Sequence, residues 1–198
     1  NSVSILNKIG LSSINNKEFY NPSNLNFYSS DNHKICDLNL SRFNSEEFKY
    51  TTLKRSVLIE FLKNKLFANN LRFGKEVKKI SLIKEKLLIN FKDNTNDLVD
   101  FIVVSDGVFS NTKSIVENKS IQPVYNGSIA IRTILKNLPE SNYDKNSISL
   151  IMLKNAHIVI YPINKKGELN VVCIIRQKLS NNIDLKALIK KEIISQNK

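Results

Sequence analysis

The chain has 198 residues, 41% hydrophobic and 24% charged, and 30 Lys and Arg against 18 Asp and Glu give a formal net charge of +12. That length supports one domain with an ordinary core, or a domain and a half. A basic balance of this size suits nucleic acid or an anionic membrane, yet the lysines are scattered, with no run of five and no interleaved aromatic platform, and read as charge on solvated faces. No 18-residue apolar stretch and no basic-then-apolar leader occur, so neither a membrane span nor export is indicated. Cys36, Cys173, His33 and His157 show no metal-ligand spacing, and both cysteines read as small buried hydrophobes, in keeping with a reducing cytoplasm.

Val3, Ile5, Leu6, Ile9 and Leu11 repeat at helical spacing and predict the end of an amphipathic helix closed by Gly10. After a polar loop with Pro22, the alternating segments 25–28 and 34–40, joined by Ser30-Asp31-Asn32, predict a β-hairpin. Thr52 stands where a helix N-cap would, ahead of an apolar stripe of Val57, Leu58, Phe61, Leu62 and Leu66. Burying each such side chain is worth roughly 1.5–3 kcal/mol, enough to dock the helix firmly. Arg55 falls in its first turn, where the helix dipole disfavours a cation unless an anion is close. A turn at Gly74 leads to a strand over 76–80, and 86–91, 93–96 and 98–104 read as strand, turn and strand, since Leu87, Ile89 and Phe91 alternate.

The apolar run 101–104 reads as a buried strand that ends in Asp106-Gly107, and Ser110 then offers an N-cap with Lys113 three residues on. Strand, acidic turn and helix start is the layout of a nucleotide site in an open α/β sheet. Gly107 lets backbone approach a ligand, and the N–H groups at a helix start attract phosphate. The same residues also read as an ordinary joint with a solvated Asp106.

Pro123-Val-Tyr-Asn-Gly127 reads as a turn into an alternating strand, 128–134, where Arg132 faces either an aromatic acid or an acidic neighbour. Past a loop with Pro139, the segments 147–153, 156–163 and 169–176 predict an antiparallel meander, with turns at Asn155 and Lys165-Lys-Gly167. In its middle strand His157, Val159 and Tyr161 project from one face, the two polar groups about 13 Å apart at roughly 3.3 Å per residue. They line one pocket, or they sit half-buried and bonded to backbone. Pro162 suits an edge strand beside a cavity. Residues 185–194 read as another amphipathic helix.

The segment Val103-Val-Ser-Asp-Gly-Val-Phe-Ser-x-x-Lys113 resembles the Asp-Gly fingerprint of the group A flavoprotein monooxygenases, the single-component FAD-dependent aromatic hydroxylases. That fingerprint usually reads Gly-Ala-Asp-Gly-x-x-Ser-x-x-Arg, from which the chain departs at Ser105 and Lys113 among other positions. Lys113 is a point charge rather than a bidentate fork. His157-x-x-x-Tyr161-Pro162, followed by Gly167-Glu-Leu-Asn-Val-Val172, resembles the salicylate, hydroxybenzoate and hydroxynicotinate hydroxylase branch. Arg55-Ser-Val-Leu58 and Tyr125-x-Gly127 match further family positions.

The resemblance implies an α/β (α+β) fold in which a piece of an FAD/NAD(P)-binding fold is interleaved with an antiparallel substrate-domain sheet. Its divisions would be 1–49 (linker helix and substrate-side hairpin), 50–122 (partial cofactor domain), 123–183 (substrate sheet) and 184–198 (start of a following helix). It implies FAD and NAD(P)H as cofactors, with O2 and a small phenol or aromatic acid as substrates. His157 would be the base for the ring hydroxyl, a role that suits an imidazole, and Tyr161 a substrate hydrogen-bond partner. Arg55, Val77, Asp106, Gly107 and Lys113 would serve the cofactors and Arg132 the substrate; a surface Arg55 and a core Val77 are the plain alternatives. The family's N-terminal Gly-x-Gly-x-x-Gly unit and its later Gly-Asp segment do not occur, so an internal fragment that holds flavin poorly by itself is expected. The near rival is a ubiquinone-pathway hydroxylase, against which the His-x-x-x-Tyr-Pro segment argues. A basic module for nucleic acid or anionic surfaces is the alternative of another class.

Overall fold

The computed structural model describes residues 2–45, 49–67, 70–136 and 144–178. The chain forms two compact units, one built from 1–65 and 127–198 and the other from 66–126.

The first unit opens with helix α1 (Ser2–Lys8), which Gly10 ends in the left-handed region at φ 87°, with its N–H bonded to the Asn7 carbonyl. Strands β1 (Phe19–Tyr20), β2 (Asn24–Tyr28), β3 (Lys34–Asn39) and β4 (Thr52–Leu53) follow, then helix α2 (Arg55–Lys63). The second unit holds β5 (Val77–Ile83), β6 (Lys86–Phe91), β7 (Asn96–Val99) and helix α3 (Asn111–Val116). The chain then returns to the first unit with β8 (Ser128–Leu135), β9 (Ile148–Met152), β10 (Ala156–Pro162) and β11 (Leu169–Arg176).

The main sheet has six strands in the order β3-β2-β9-β10-β11-β8. The expected hairpin forms, and so does the meander; every pairing is antiparallel except β2 against β9. Lys165-Lys-Gly167 supplies the β10–β11 turn, with Gly167 at φ 81°. Leu40, Phe61, Ile148, Ile163, Leu169 and Val172 are buried in this unit. In the second unit β5, β6 and β7 form an antiparallel sheet whose buried residues, Ile89 and Phe91, share one face.

Several expectations are corrected. Thr52 does not cap α2: it pairs with Tyr20 in β4, and the N-cap is Lys54, which makes no side-chain cap bond. Helix α2 ends at Lys63, so Leu66 lies beyond it, and Leu62 and Leu66 are exposed while Phe61 alone of the stripe is fully buried. Segment 101–104 is not a buried strand. Strand β7 stops at Val99, and Phe101 and Val103 are 78% and 79% exposed. An apolar run becomes a strand only where a neighbour satisfies its N–H and C=O groups, and among the described residues none lies beside it. Strand β10 is interior rather than an edge, paired on both sides, and Pro162 is tolerated because pairing to β9 ends at Ile160. Cys36 is exposed on the edge strand β3, where every residue is exposed, and Cys173 is half-buried. The expected helix over 185–194 and the loop at Pro139 lie outside the described residues.

Candidate functional site

Strand alternation and register together define one face of the six-stranded sheet. His157 stands opposite Ile174, Val159 opposite Val172, and Tyr161 opposite Asn170. On the far side of β11, Ala130 pairs with Ile174, Arg132 with Val172 and Ile134 with Asn170. Residues opposite one another share a face, so His157, Tyr161, Asn170 and Arg132 all stand over an apolar floor of Val159, Val172 and Ile174. His157, Tyr161 and Asn170 are half-buried and Arg132 is exposed. Among the described residues none of the four side chains makes a hydrogen bond or ion pair. Among the described residues, neither a backbone bond to the His157 or Tyr161 side chain nor an acidic neighbour for Arg132 is found.

The Tyr161 end of this face is fastened from below. Thr52 is buried, and its hydroxyl donates to the Pro162 carbonyl at 2.5 Å. Two residues on, the Lys54 ammonium meets the Glu168 carboxylate at 2.5 Å, with Lys136 at 3.6 Å on the other oxygen. Asn164, itself buried, also donates to Glu168. Lys54, then Asn164, hold the Glu168 carboxyl below its ordinary range. This anion also offsets the Lys54 cation at the start of α2. Arg55 itself is exposed and has no carboxylate partner among the described residues.

In the second unit, Asp106 and Val77 line one groove of about 480 Å³, together with Lys75, Val104, Phe109 and Thr112. A smaller groove of about 300 Å³ has Asp106, Gly107, Ser110 and Lys113 on its walls. Gly107 adopts φ 89°, in the region that favours glycine, and nothing lies within 4 Å of where a Cβ would be, so its backbone is open to approach. Ser110 caps α3 as expected, accepting from the Lys113 N–H at 2.9 Å. Hydroxyls of Ser110 and Thr112 donate to Asp106 and hold its carboxyl below the usual range. On adjoining grooves, an open glycine backbone and a cation suit phosphate, and an ionised acid suits the hydroxyls of a ribose, a set that fits a dinucleotide. Arg55 belongs to the first unit and is not among these residues.

A cavity of about 590 Å³ in the first unit lies among Val3, Leu11, Phe19 and Leu53, and no sequence-predicted site residue lines it. Sequence reading missed Asn170, Thr52 and Glu168. Asn170 and Glu168 sit inside the Gly167-Glu-Leu-Asn-Val-Val172 segment, where parity alone, two residues before Val172, would have placed Asn170 on the floor's face. Among the described residues no cluster of His, Cys, Asp and Glu could hold a metal ion, and no helix is long and apolar enough to cross a membrane.

No protein-family model and no curated protein sequence matches the chain. Similar solved structures are FAD-dependent aromatic hydroxylases. Klebsiella pneumoniae HpxO, complexed with FAD and uric acid, is similar at a TM-score of 0.78 and 15% identity, over 96% of this chain and 49% of that one. For 2,6-dihydroxypyridine-3-hydroxylase from Arthrobacter nicotinovorans the values are 0.74 and 17%, over 92% and 46%. A salicylate hydroxylase substrate complex gives 0.71 and 15%, over 92% and 49%. The chain thus spans about half the length of the structures it matches, and at these identities the likeness is one of fold: over that span, it has the fold of the FAD-dependent aromatic hydroxylases.

Proposed function

We propose that this chain serves an FAD-dependent monooxygenase that hydroxylates a small phenol or aromatic acid with NAD(P)H and O2. The observation that carries the reading is the sheet face on which His157, Tyr161 and Arg132 stand over an apolar floor, without side-chain partners among the described residues. Such a surface accepts the flat apolar face of a ring and leaves polar groups for its substituents. His157 takes the proton of the ring hydroxyl, which raises electron density on the ring carbons, and Tyr161 is a hydrogen-bond partner for the substrate. Arg132 pairs with a ring carboxylate. Asp106, Gly107, Lys113 and Val77 serve the cofactors in the second unit, and Arg55 contacts FAD. FAD, when bound, supplies the redox and oxygen chemistry, and the protein contributes position and exclusion of water. The similar structures named above include complexes with uric acid and with a salicylate hydroxylase substrate, which supports a small-ring guest.

The test uses the native protein that carries this sequence. It is expected to hold flavin and to oxidise NAD(P)H faster when a phenolic acid is added. His157→Ala should slow flavin reduction or hydroxylation by about 10²–10⁴-fold, the range of positioned acid–base groups. Unchanged turnover in that variant removes His157 from the mechanism, and a protein without flavin sinks the reading as a whole.

A further inference from the structure

Segment 52–54 is held to the end of the β10–β11 hairpin at two points. The Thr52 hydroxyl donates to the Pro162 carbonyl at 2.5 Å, and the Lys54 ammonium meets the Glu168 carboxylate at 2.5 Å. Each point lies one residue from a candidate site residue: Pro162 follows Tyr161, and Lys54 precedes Arg55. The Glu168 side chain is 12% exposed and that of Lys54 25%, so solvent screens the pair little. Lys54 is fixed at its other end as well, since its carbonyl accepts the Leu58 N–H at 3.2 Å in the first turn of α2. The ion pair is therefore a strut between a helix start and a strand end.

The carboxylate end of this strut is built into the turn. Asn164, buried, donates to Glu168, and its own side-chain oxygen accepts from the Lys166 N–H at 2.9 Å and the Glu168 N–H at 3.3 Å. The Lys165 N–H reaches the Lys17 carbonyl at 3.1 Å, which ties the turn to the chain ahead of β1. At the other end, Lys54 and Arg55 are adjacent cations where the helix dipole disfavours both. Glu168 takes up Lys54, while Arg55 is exposed without a carboxylate partner among the described residues.

We propose that Glu168 is a positioning residue for the flavin: through Lys54 it sets Arg55, the cation that contacts FAD, at a fixed place relative to Tyr161. The inference rests on the function proposed above and adds to it a residue that touches neither flavin nor substrate. A cation already held in place binds with a smaller ordering cost than a free one. The sign of the effect separates this role from a simple charge effect. FAD carries phosphate, so removing an anion near its cation would by charge alone tighten binding. Positioning requires the reverse.

The test is the FAD dissociation constant of the native protein that carries this sequence, read from flavin fluorescence on dilution. Arg55→Gln should weaken FAD about 10–100-fold, the worth of a hydrogen bond to a charged group. Glu168→Gln, which keeps the shape and an acceptor for Asn164, should weaken it about 3–30-fold, and by less than about 2-fold more once Arg55→Gln is present. Thr52→Val cuts the second point without changing charge; it should weaken FAD in the same direction, and serves where the Glu168 variant does not fold. Unchanged or tighter FAD in the variant read, or a weakening that persists in the Arg55→Gln background, overturns the inference and leaves the proposed function standing. FAD held as tightly by Arg55→Gln as by the native protein removes Arg55 from the flavin and overturns the inference too. A native protein without flavin overturns the proposed function, and this inference with it.

Discussion

The bond from Thr52 to the Pro162 carbonyl ties a two-residue strand to the end of β10, one residue past Tyr161. Thr52→Val removes the hydroxyl and keeps nearly the same volume, so no cavity opens and the hydrogen bond is isolated. Thr52 is 9% exposed, and the carbonyl left behind has no water to turn to; such an orphaned buried acceptor costs about 1–3 kcal/mol. In a chain of 198 residues, each kcal/mol moves the melting temperature by about 2–4 °C. The valine variant should therefore melt roughly 2–12 °C lower by circular dichroism. Thr52→Ser retains the donor and loses one buried methyl, worth about 0.8 kcal/mol, and should melt above the valine variant. If valine melts as high as serine, the hydroxyl contributes nothing, and the strand end beside Tyr161 is held by packing alone.

Glu168 gives a pH-dependent expectation. Its carboxyl is held low by Lys54 and Asn164; a depressed folded-state pKa contributes stability above the unfolded value, about 4.3, and loses it as pH falls through the folded one. Melting of the native protein should accordingly fall more steeply below about pH 4.5 than that of Glu168→Gln, and parallel acid limbs in the two would contradict the assignment. Ser110→Ala removes the α3 cap, worth roughly 0.5–2 kcal/mol, so the amides of 111–116 should exchange about 2–30-fold faster with deuterium. Unaltered exchange there would show that the Ser110 oxygen does not hold the helix start.

What the sequence disclosed follows from which signals are local. Alternation placed β10 and β11 and put His157 and Tyr161 on one face, because side-chain parity needs no partner strand. The Asn170 and Arg132 neighbourhoods needed register, and register is a property of two strands; a slip of one residue would have turned Asn170 away. The β5–β6 hairpin shows the limit of turn chemistry. Its turn is Lys84-Glu85, both with positive φ, at 44° and 67°. Hairpin turns of this kind are usually announced by Asn-Gly or Asp-Gly, so the sequence reading stopped the strand three residues early. Thr52 misled for a related reason. A threonine before an apolar stripe is an N-cap by local rules, but here two carbonyls distant in sequence, Pro162 110 residues on and Tyr20 32 residues back, claim its hydroxyl.

The Asp-Gly turn is better understood from its donors than from its charge. A carboxylate has about four acceptor positions. Asp106 already draws on the hydroxyls of Ser110 and Thr112, with backbone N–H groups of Thr112 and of Asp106 itself adding to them. Thr112 is buried, so this cage is built into the joint and does not depend on a ligand to assemble. The acid is ionised and oriented by its own loop, at the junction of two grooves. Its first consequence is mechanical: it fixes the turn in which Gly107 takes φ 89° with open space where a side chain would stand. On the proposed reading a cofactor meets a turn already held in place, and order established before binding is where binding free energy is conserved. In this chain the serine and threonine that follow the Asp-Gly pair therefore set the turn together with the acid, and the departure at Ser105 leaves these bonds untouched.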